Sequence, residues 1–216
     1  MAMNATIYTF EGEDATVTWS KVRCLHAEVC VHGLPGVFDS QRRPWIEPDR
    51  AQSAEDLAAV VFNCPTGALH ITSGPEEPIP DSNTVTLAPN GPLYVRGDVT
   101  VADADGETVI ADTRVALCRC GLSQHKPFCD NSHLGTFRDA GTMGDTAPLK
   151  NTGAQAGGLC ITLAPNGPLL VEGPLTCTGA DGTSASGAQT ALCRCGASAN
   201  KPFCDGSHRE IGFETP

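Results

Sequence analysis

Two stretches of the sequence carry the same spacing of cysteine and histidine residues. ALCRCGLSQHKPFCDNSH spans residues 116–133, and ALCRCGASANKPFCDGSH spans residues 191–208. The stretch TLAPNGPL also occurs twice, at 86–93 and at 162–169. Two homologous modules therefore follow each other along the chain. Any fold must place three cysteines and one histidine equivalently in both.

The spacing within each motif suits the binding of a metal by thiolates and one imidazole. A glycine follows each C-R-C pair and permits the turn that aims both sulfurs at one ion. The later cysteine and histidine are four residues apart, on one face of a helical turn that Asp130 or Asp205 can cap. Such donors bind either zinc or a small iron-sulfur cluster. The candidate ligands are Cys118, Cys120, Cys129 and His133 in the first motif, and Cys193, Cys195, Cys204 and His208 in the second.

Both motifs resemble that of the CDGSH iron-sulfur (mitoNEET-like) domain family, C-x-C-x2-S/T-x3-P-x-C-D-G-S/A/T-H. The second copy matches at every position, and the first departs only at Asn131, where the family has glycine. Asparagine tolerates left-handed backbone angles better than other non-glycine residues, so the same loop remains possible. The resemblance implies a 2Fe-2S cluster in each module, with the C-x-C pair on one iron and the later cysteine and histidine on the other. Two structural zinc sites with the same ligands are the alternative.

Short strands and tight turns dominate the predicted secondary structure of both modules. Each TLAPNGPL stretch ends one apolar run, turns at Pro-Asn-Gly-Pro and resumes in a second run, at 93–95 or 169–171. The chain has 23 Gly, 16 Pro and only 5% aromatic residues, which favours strands over long helices. We predict a mainly β, α+β fold. The resemblance implies that the modules, at 81–145 and 146–216, pair as an intramolecular pseudo-dimer, and residues 139–158 between their motifs are predicted to be an exposed linker.

The N-terminal residues 1–80 are predicted to form a small α+β domain. Residues 5–10 and 15–19 read as a hairpin around Glu-Gly-Glu-Asp. Ser53, followed by Ala-Glu-Asp, can cap a helix that runs toward Phe62. The domain resembles the divergent single-cluster ferredoxin domain that is often joined to CDGSH modules, so we expect a ferredoxin-like fold.

This N-terminal domain carries an incomplete cluster motif. Cys24 and Cys30 keep the first and third cysteines of C-x2-C-x2-C, with Ala27 at the middle position, and Cys64-Pro65 resembles the closing C-P of bacterial ferredoxins. Three interpretations stay open: a 3Fe-4S cluster, a 4Fe-4S cluster with a different fourth ligand, or an empty relic with ordinary buried thiols. The candidate fourth ligands are His26, His32 and an exogenous group.

Composition bounds the compartment and the partners. The chain contains 11 cysteines, and it has no charged-then-apolar signal segment and no long apolar run. Thiols that serve as ligands need a reducing compartment, so we expect a cytoplasmic protein without a membrane anchor. The net charge of -11 repels phosphate backbones, so nucleic acid is not expected as a partner.

These features predict an iron-sulfur protein without catalytic activity. The sequence contains no G-x-G-x-x-G, G-x-x-x-x-G-K or H-E-x-x-H motif. We expect single-electron transfer by a monomer, with a redox partner or an apo-acceptor protein as its contact. The alternatives are pH-sensitive storage or transfer of 2Fe-2S clusters and iron or redox sensing. Among the other residues, we expect Phe128 and Phe203 in the core, Lys126 and Lys201 in solvent, Cys160 and Cys177 as buried small side chains, and His70 and His125 without a functional role.

Overall fold

The chain divides into two units near residue 78. A computed structural model describes residues 6–151, 153 and 156–215, and its units span residues 1–78 and 79–216. Both cysteine motifs lie in the second unit, whose strands form one sheet. Strands outnumber helices among the described residues, so the predicted α+β, mainly β class is confirmed.

The first unit is a three-stranded antiparallel sheet with two short helices. Its elements are β1 (Ile7–Phe10), β2 (Thr16–Ser20), α1 (Val29–Gly33), a 3-10 helix (Pro48–Arg50), α2 (Ala54–Val61) and β3 (Leu69–Ser73). Strands β1 and β2 form the predicted hairpin, with Thr9 opposite Thr18, and β3 pairs with the other edge of β2. Residue 5, the predicted start of the hairpin, lies outside the described residues.

Helix α2 begins where the sequence predicts. The Ser53 hydroxyl accepts a hydrogen bond from the amide of Asp56 at 3.1 Å, which satisfies one of the orphan donors of the first turn. Leu57 and Val61 are buried on one face of the helix and join the core of this unit. The residue that follows the helix by three positions, Cys64, is thereby fixed relative to the sheet.

The described residues of the second unit form six strands and one helical turn. They are β4 (Thr84–Leu87), β5 (Leu93–Ala102), β6 (Thr108–Leu117), β7 (Leu159–Leu163), β8 (Leu169–Thr178), β9 (Ser184–Leu192) and α3 (Ser207–Glu210). The predicted turn at Pro-Asn-Gly-Pro joins β4 to β5 and β7 to β8, and both pairs are antiparallel. Strands β6 and β9 run back along β5 and β8 and deliver the chain to the C-R-C pairs.

The two short strands lie end to end between the two long strands. Strand β4 is antiparallel to the first half of β5 and parallel to the second half of β8. Strand β7 is antiparallel to the first half of β8 and parallel to the second half of β5. Each module therefore supplies a strand that pairs with the other module.

A bulge allows each long strand to change partner at its middle. The register of β5 shifts between Arg96 and Val99, and the register of β8 shifts between Glu172 and Leu175. Gly97 lies in the first bulge at a φ of 152°, where a Cβ would collide with Asn83. Only glycine allows the backbone to approach so closely there.

The core of the second unit lies on one face of this sheet and draws on both modules. Its buried side chains include Val85, Leu93, Val101, Leu117 and Phe128 from the first module and Ile161, Leu169, Cys177, Leu192 and Phe203 from the second. The predicted burial of Phe128 and Phe203 is confirmed, since they are 4% and 0% exposed. The modules share one apolar interior, so neither has a core of its own.

One expectation about this unit is wrong, and a second holds only for part of its segment. Cys177 is buried as predicted, but Cys160 is exposed, because it alternates with the buried Leu159 and Ile161 on β7. The segment 139–158 does not run free in solvent over its whole length. Leu149 packs against the core, and the amide of residue 150 donates to the carbonyl of Gln189 at 2.9 Å.

Within the residues that the structure describes, the chain forms no helix with the length and apolar character needed to cross a bilayer.

We predict that Asn83→Ala destabilises the second unit. The Asn83 side chain is 5% exposed and donates to the carbonyls of Gly157 and Pro174, at 3.0 and 2.8 Å, while accepting from the amide of Asp98 at 3.0 Å. Removing it leaves three backbone groups without these partners, so the free energy of unfolding should fall by about 2–3 kcal/mol. Urea unfolding followed by circular dichroism measures the loss. The exposed Ser82→Ala is the control and should change stability by less than about 0.5 kcal/mol; equal effects would contradict the role of the Asn83 amide.

Candidate metal centres

The ligands of each module come from two segments that the sheet holds together. Cys118 and Cys120 directly follow β6, and the segment that contains Cys129 folds back against the end of the same strand. The amide of Cys118 donates to the carbonyl of Pro127 at 2.8 Å, and that of Cys129 donates to Ala116 at 2.9 Å. The second module repeats both bonds, from Cys193 to Pro202 and from Cys204 to Ala191 at 2.8 Å each.

The predicted ligands lie in close pairs. The sulfurs of Cys118 and Cys120 are 3.6 Å apart, as are those of Cys193 and Cys195. The Nδ1 atom of the histidine lies 3.2 Å from the sulfur of Cys129 in the first module and 3.4 Å from that of Cys204 in the second. Two sulfurs bonded at about 2.3 Å to one tetrahedral metal lie about 3.7 Å apart, so each pair suits one metal atom.

The two pairs of a module do not merge into a single tetrahedron. Among the residues that the structure describes, no three Cys, His, Asp or Glu side chains are grouped so that they could hold one metal ion. A single zinc ion needs its four donors around one point.

An aspartate ties the helical turn of each site to the preceding loop. One oxygen of Asp130 accepts from the amide of Ser132 at 3.0 Å, and the other accepts from the amide of Gln124 at 2.8 Å. Asp205 makes the same two bonds, with Ser207 and Ala199. Burial opposes ionisation of Asp130, but the hydrogen bonds from Ser132 and Gln124 lower its pKa to about 2. The predicted capping role is confirmed, and the carboxylate remains charged at neutral pH.

The residue after each aspartate adopts the left-handed backbone conformation. Asn131 has a φ of 70°, and the equivalent Gly206 has a φ of 95°. Asparagine is the non-glycine residue best suited to this region. The one departure of the first motif from the family pattern is therefore compatible with the same local fold.

The surroundings shift the pKa values of the predicted ligand thiols. The hydrogen bond with Cys120 lowers the pKa of Cys118 to about 6, and the same bond, with burial, raises the pKa of Cys120. Burial also raises the pKa of Cys129 and of Cys195 to about 11 each. Most of these thiols hold their protons until a cation replaces them, so binding of metal releases protons.

His133 is suited to act as a neutral ligand. Burial lowers its pKa, with Asp130 opposing the shift and the cationic Arg119 adding to it. Its imidazole is therefore unprotonated at neutral pH, as ligation requires.

The two sites meet at their C-R-C loops. Cys120 and Cys195 form an antiparallel bridge between the modules. Gly121 and Gly196 follow them with φ values of 82° and 85°, and a Cβ on either would lie 2.5 Å from the carbonyl oxygen of the opposite cysteine. The predicted turn glycines thus have a second role, because they let the two ligand loops touch.

The two lysines of the motif were predicted to lie free in solvent, but both bind to the loop. Lys126 is half-buried and its ammonium donates to the carbonyl of Ser123 at 2.7 Å, and Lys201 donates in the same way to Ser198. The burial of Arg119 and Arg194, which stand between the predicted ligand cysteines, was not predicted from the sequence. Their place inside C-R-C was a visible signal, but an arginine there is ordinarily expected in solvent.

The three N-terminal cysteines line one cavity of about 550 Å³. Cys24 follows β2, Cys30 lies in α1 and Cys64 follows α2. Burial, then the neighbouring Cys64 and then Cys24, raise the pKa of Cys30 to about 11, which indicates that the three sulfurs lie within electrostatic reach of one another. Three cysteines that are distant in the sequence therefore line the same cavity.

An aromatic pair forms part of the wall of this cavity. Trp19 lines the cavity and packs edge-on against Trp45, with ring centroids 5.0 Å apart. Its Nε1–H is buried and has no hydrogen-bond acceptor among the described residues.

Two of the candidate fourth ligands are placed differently. His26 and Ala27 line the cavity and are exposed at its opening. His32 does not line it, and its imidazole instead lies 3.4 Å from the carboxylate of Glu28, on the solvent side. The structure therefore favours His26 over His32 as a side chain that could reach a group in the cavity.

Comparisons with known proteins agree with this division of the chain. The family described as iron-binding zinc finger, CDGSH type, matches residues 90–134 and 166–209. The family described as divergent 4Fe-4S mono-cluster matches residues 10–74. The chain is 37% identical over 60 residues to the uncharacterized protein YjdI of Escherichia coli K12, which covers 28% of this chain and 78% of YjdI. YjdI of Escherichia coli O157:H7 gives the same values. No solved structure gives a significant match.

The chain belongs to the CDGSH iron-sulfur domain family, with two CDGSH repeats behind an N-terminal domain of the divergent 4Fe-4S mono-cluster type. Both family assignments imply that it binds iron-sulfur clusters.

We predict that Gly121→Ala releases iron from both modules. The new Cβ would lie 2.5 Å from the carbonyl oxygen of Cys195, so the two ligand loops must separate. Iron and sulfide per chain after anaerobic purification measure the loss. Gly106→Ala is the matched control, since Gly106 has a similar φ of 87° but no atom within 4 Å of the added Cβ. It should keep its clusters at a strain cost of about 1–2 kcal/mol; equal iron loss in both variants would show that backbone strain alone is responsible.

Proposed function

We propose that each CDGSH module binds one 2Fe-2S cluster through three cysteines and one histidine. The observation that carries the proposal is the pairing of the donors, two sulfurs at 3.6 Å and a sulfur with an imidazole nitrogen at 3.2 or 3.4 Å. The first iron is held by Cys118 and Cys120, or by Cys193 and Cys195. The second iron is held by Cys129 and His133, or by Cys204 and His208.

We also propose that the tandem modules act as an intramolecular pseudo-dimer. The exchange of β4 and β7 and the bridge between Cys120 and Cys195 support this arrangement. A monomeric chain then contains a complete pair of sites, with no need for a second copy.

The N-terminal domain is proposed to hold a 4Fe-4S cluster with Cys24, Cys30 and Cys64 as ligands. The cavity that these cysteines share supports it. His26 is the side chain proposed for the fourth position. A ferredoxin-like arrangement of the domain belongs to the same proposal.

The function that these sites support best is single-electron transfer. A 2Fe-2S cluster supplies a one-electron couple. All four ligands of the first module are buried, and the chain provides its full set of donors, which leaves no coordination position for a substrate. The protein is therefore proposed to be an electron carrier without catalytic activity of its own.

Cluster transfer is the second candidate, and one observation favours it. Cys204 and His208 line an open groove of about 590 Å³, so an acceptor protein could approach these two ligands. Histidine is also the ligand that protons displace most readily near neutral pH. The partner is accordingly proposed to be a redox protein or an apo-acceptor protein in the cytoplasm. Neither nucleic acid nor a membrane is proposed as a partner.

We predict four irons and four sulfides per chain from the two modules, reduced and reoxidised with the clusters retained. Iron, sulfide and zinc assays on anaerobic protein, with visible and electron paramagnetic resonance spectra before and after dithionite, measure this. Stoichiometric zinc without sulfide would contradict the cluster assignment. Rapid transfer of intact clusters to an apo-ferredoxin, slowed in the double variant His133→Cys with His208→Cys, would favour cluster delivery over electron transfer.

We predict that Cys24→Ser, Cys30→Ser or Cys64→Ser removes only a separate, N-terminal iron component. Each of these thiols lines the N-terminal cavity, whereas the CDGSH ligands lie in the other unit. Iron content and low-temperature electron paramagnetic resonance of the reduced protein measure the change. Cys160→Ser, at an exposed cysteine outside every site, is the control. If all four variants keep the same iron content and spectra, the N-terminal domain holds no cluster.

A further inference from the structure

Each CDGSH site contains a buried arginine in the same position. Arg119 and Arg194 stand between the two C-x-C cysteines and are 1% and 4% exposed. The Nε atom of Arg119 donates to the carbonyl of Gly91 and that of Arg194 to the equivalent Gly167, both at 2.8 Å. A second guanidinium nitrogen donates to Ala88 or Ala164 at 2.5 Å. The two cations are therefore held by the same backbone turn in both modules.

Both guanidinium groups also face the histidine side of their own module. Arg119 lies over the ring of Phe137 at 5.1 Å, and Arg194 lies over the ring of Phe213 at 5.9 Å. The amide of each phenylalanine donates to the carbonyl of its ligand histidine, at 3.0 Å in the first module and 2.9 Å in the second. The positive charge of Arg119 reaches His133, since it contributes to lowering the pKa of that imidazole.

The two modules differ in what neutralises this cation. The carboxylate of Asp139 forms an ion pair with Arg119 at 2.5 Å. The equivalent position in the second module is Thr215. Equivalent hydrogen bonds identify these two positions. The amide of Asp139 donates to the side chain of Asn90, and the amide of Thr215 donates to the side chain of Asn166, each at 2.8 Å.

Arg194 has no carboxylate partner within the described range that ends at residue 215. Its neutral partners are two carbonyls. The first module therefore pairs its buried arginine with a partly exposed aspartate, so that the two charges cancel, while the second buries one net positive charge. Burial keeps this difference from being screened by solvent.

The charges that oppose this difference are exposed. Arg138 precedes Asp139 in the first module and Glu214 precedes Thr215 in the second, but both side chains lie in solvent, which screens their fields. Arg209 follows the ligand His208 where the first module has Leu134, but Glu210 stands beside it and both are exposed, so their fields are screened and opposed. Asp130 and Lys126 have direct counterparts in Asp205 and Lys201. His125 has no counterpart, since Asn200 replaces it, and it lies 3.4 Å from Asp130 with its side chain 46% exposed.

We propose that the unneutralised Arg194 makes the second module the first to be reduced. An added electron makes a cluster more negative, so a nearby buried cation stabilises the reduced form and raises the reduction potential. Greater solvation acts in the same direction, since Cys204 is partly exposed at its groove while the equivalent Cys129 is 2% exposed. This inference rests on the proposed presence of a 2Fe-2S cluster in each module.

The field of Arg194 also extends to the first module. Burial lowers the pKa of Arg194, and the sulfur of Cys118 raises it in opposition, so cation and thiolate lie within electrostatic reach. Removing the net charge of Arg194 should therefore lower both potentials, and that of the second module more.

The test is a set of potentiometric titrations of the whole chain at pH 8. Native protein should show two reduction steps whose midpoint potentials differ by at least 59 mV. For a one-electron couple, this separation is a tenfold difference in the reduced-to-oxidised ratio at a given potential. Thr215→Asp supplies the missing carboxylate and should lower the upper step by at least that amount. Thr215→Asn has nearly the same shape without the charge and should leave both steps in place. Asp139→Thr should raise the lower step.

His133→Cys assigns the steps, because an added thiolate lowers the potential of the first module. The inference is supported if this variant moves the lower step of the native protein. It is overturned if the native steps coincide, if the upper step belongs to the first module, or if Thr215→Asp and Thr215→Asn behave alike. Iron and sulfide are assayed in every preparation. Absence of clusters from the modules would refute the proposed function, whereas intact clusters of equal potential would refute this inference alone.

Discussion

The gap between the long strands β5 and β8 is the constraint on which the second unit depends. Neither β4 nor β7 is long enough to fill it, and each pairs with the long strands of both modules. A module of this size that kept its short strand to itself would leave half of one long edge unpaired and a divided core. The exchange of strands therefore couples the folding of the two modules, and it also brings Cys120 beside Cys195.

Metal ligation follows from this coupling. The strand ends β6 and β9 fix the C-x-C pairs, and the aspartate that follows the third cysteine fixes the helical turn that carries the histidine. The same fold buries thiols whose pKa values are raised to about 11 at Cys129 and Cys195. Binding of positive iron relieves that burial, so the clusters should contribute to the stability of the fold as well as to its function.

The sequence predicts the local parts of this structure and misses the long-range ones. The ligands, the Pro-Asn-Gly-Pro turns and the Ser53 cap follow from short spacings that physical chemistry restricts. The strand exchange does not follow from the repeat, because two identical modules could equally keep their own strands. The exposure of Cys160 and the docking of Leu149 depend on which face of the sheet packs against the core. That choice is made only when distant strands pair. The burial of Arg119 and Arg194 was missed for the same reason, since the carbonyls that bind them lie in a turn about thirty residues earlier.

Placing both modules in one chain removes a restriction that a symmetric dimer would impose. Two identical subunits give identical surroundings to their clusters, because any substitution appears twice. In a tandem chain, position 139 can carry aspartate while its equivalent, position 215, carries threonine, and the shared backbone scaffold is kept by Asn90 and Asn166. The two sites can then retain the same ligands and still differ in local charge. Duplication within a single chain thus allows one donor set to serve two sites with separate electrostatic environments.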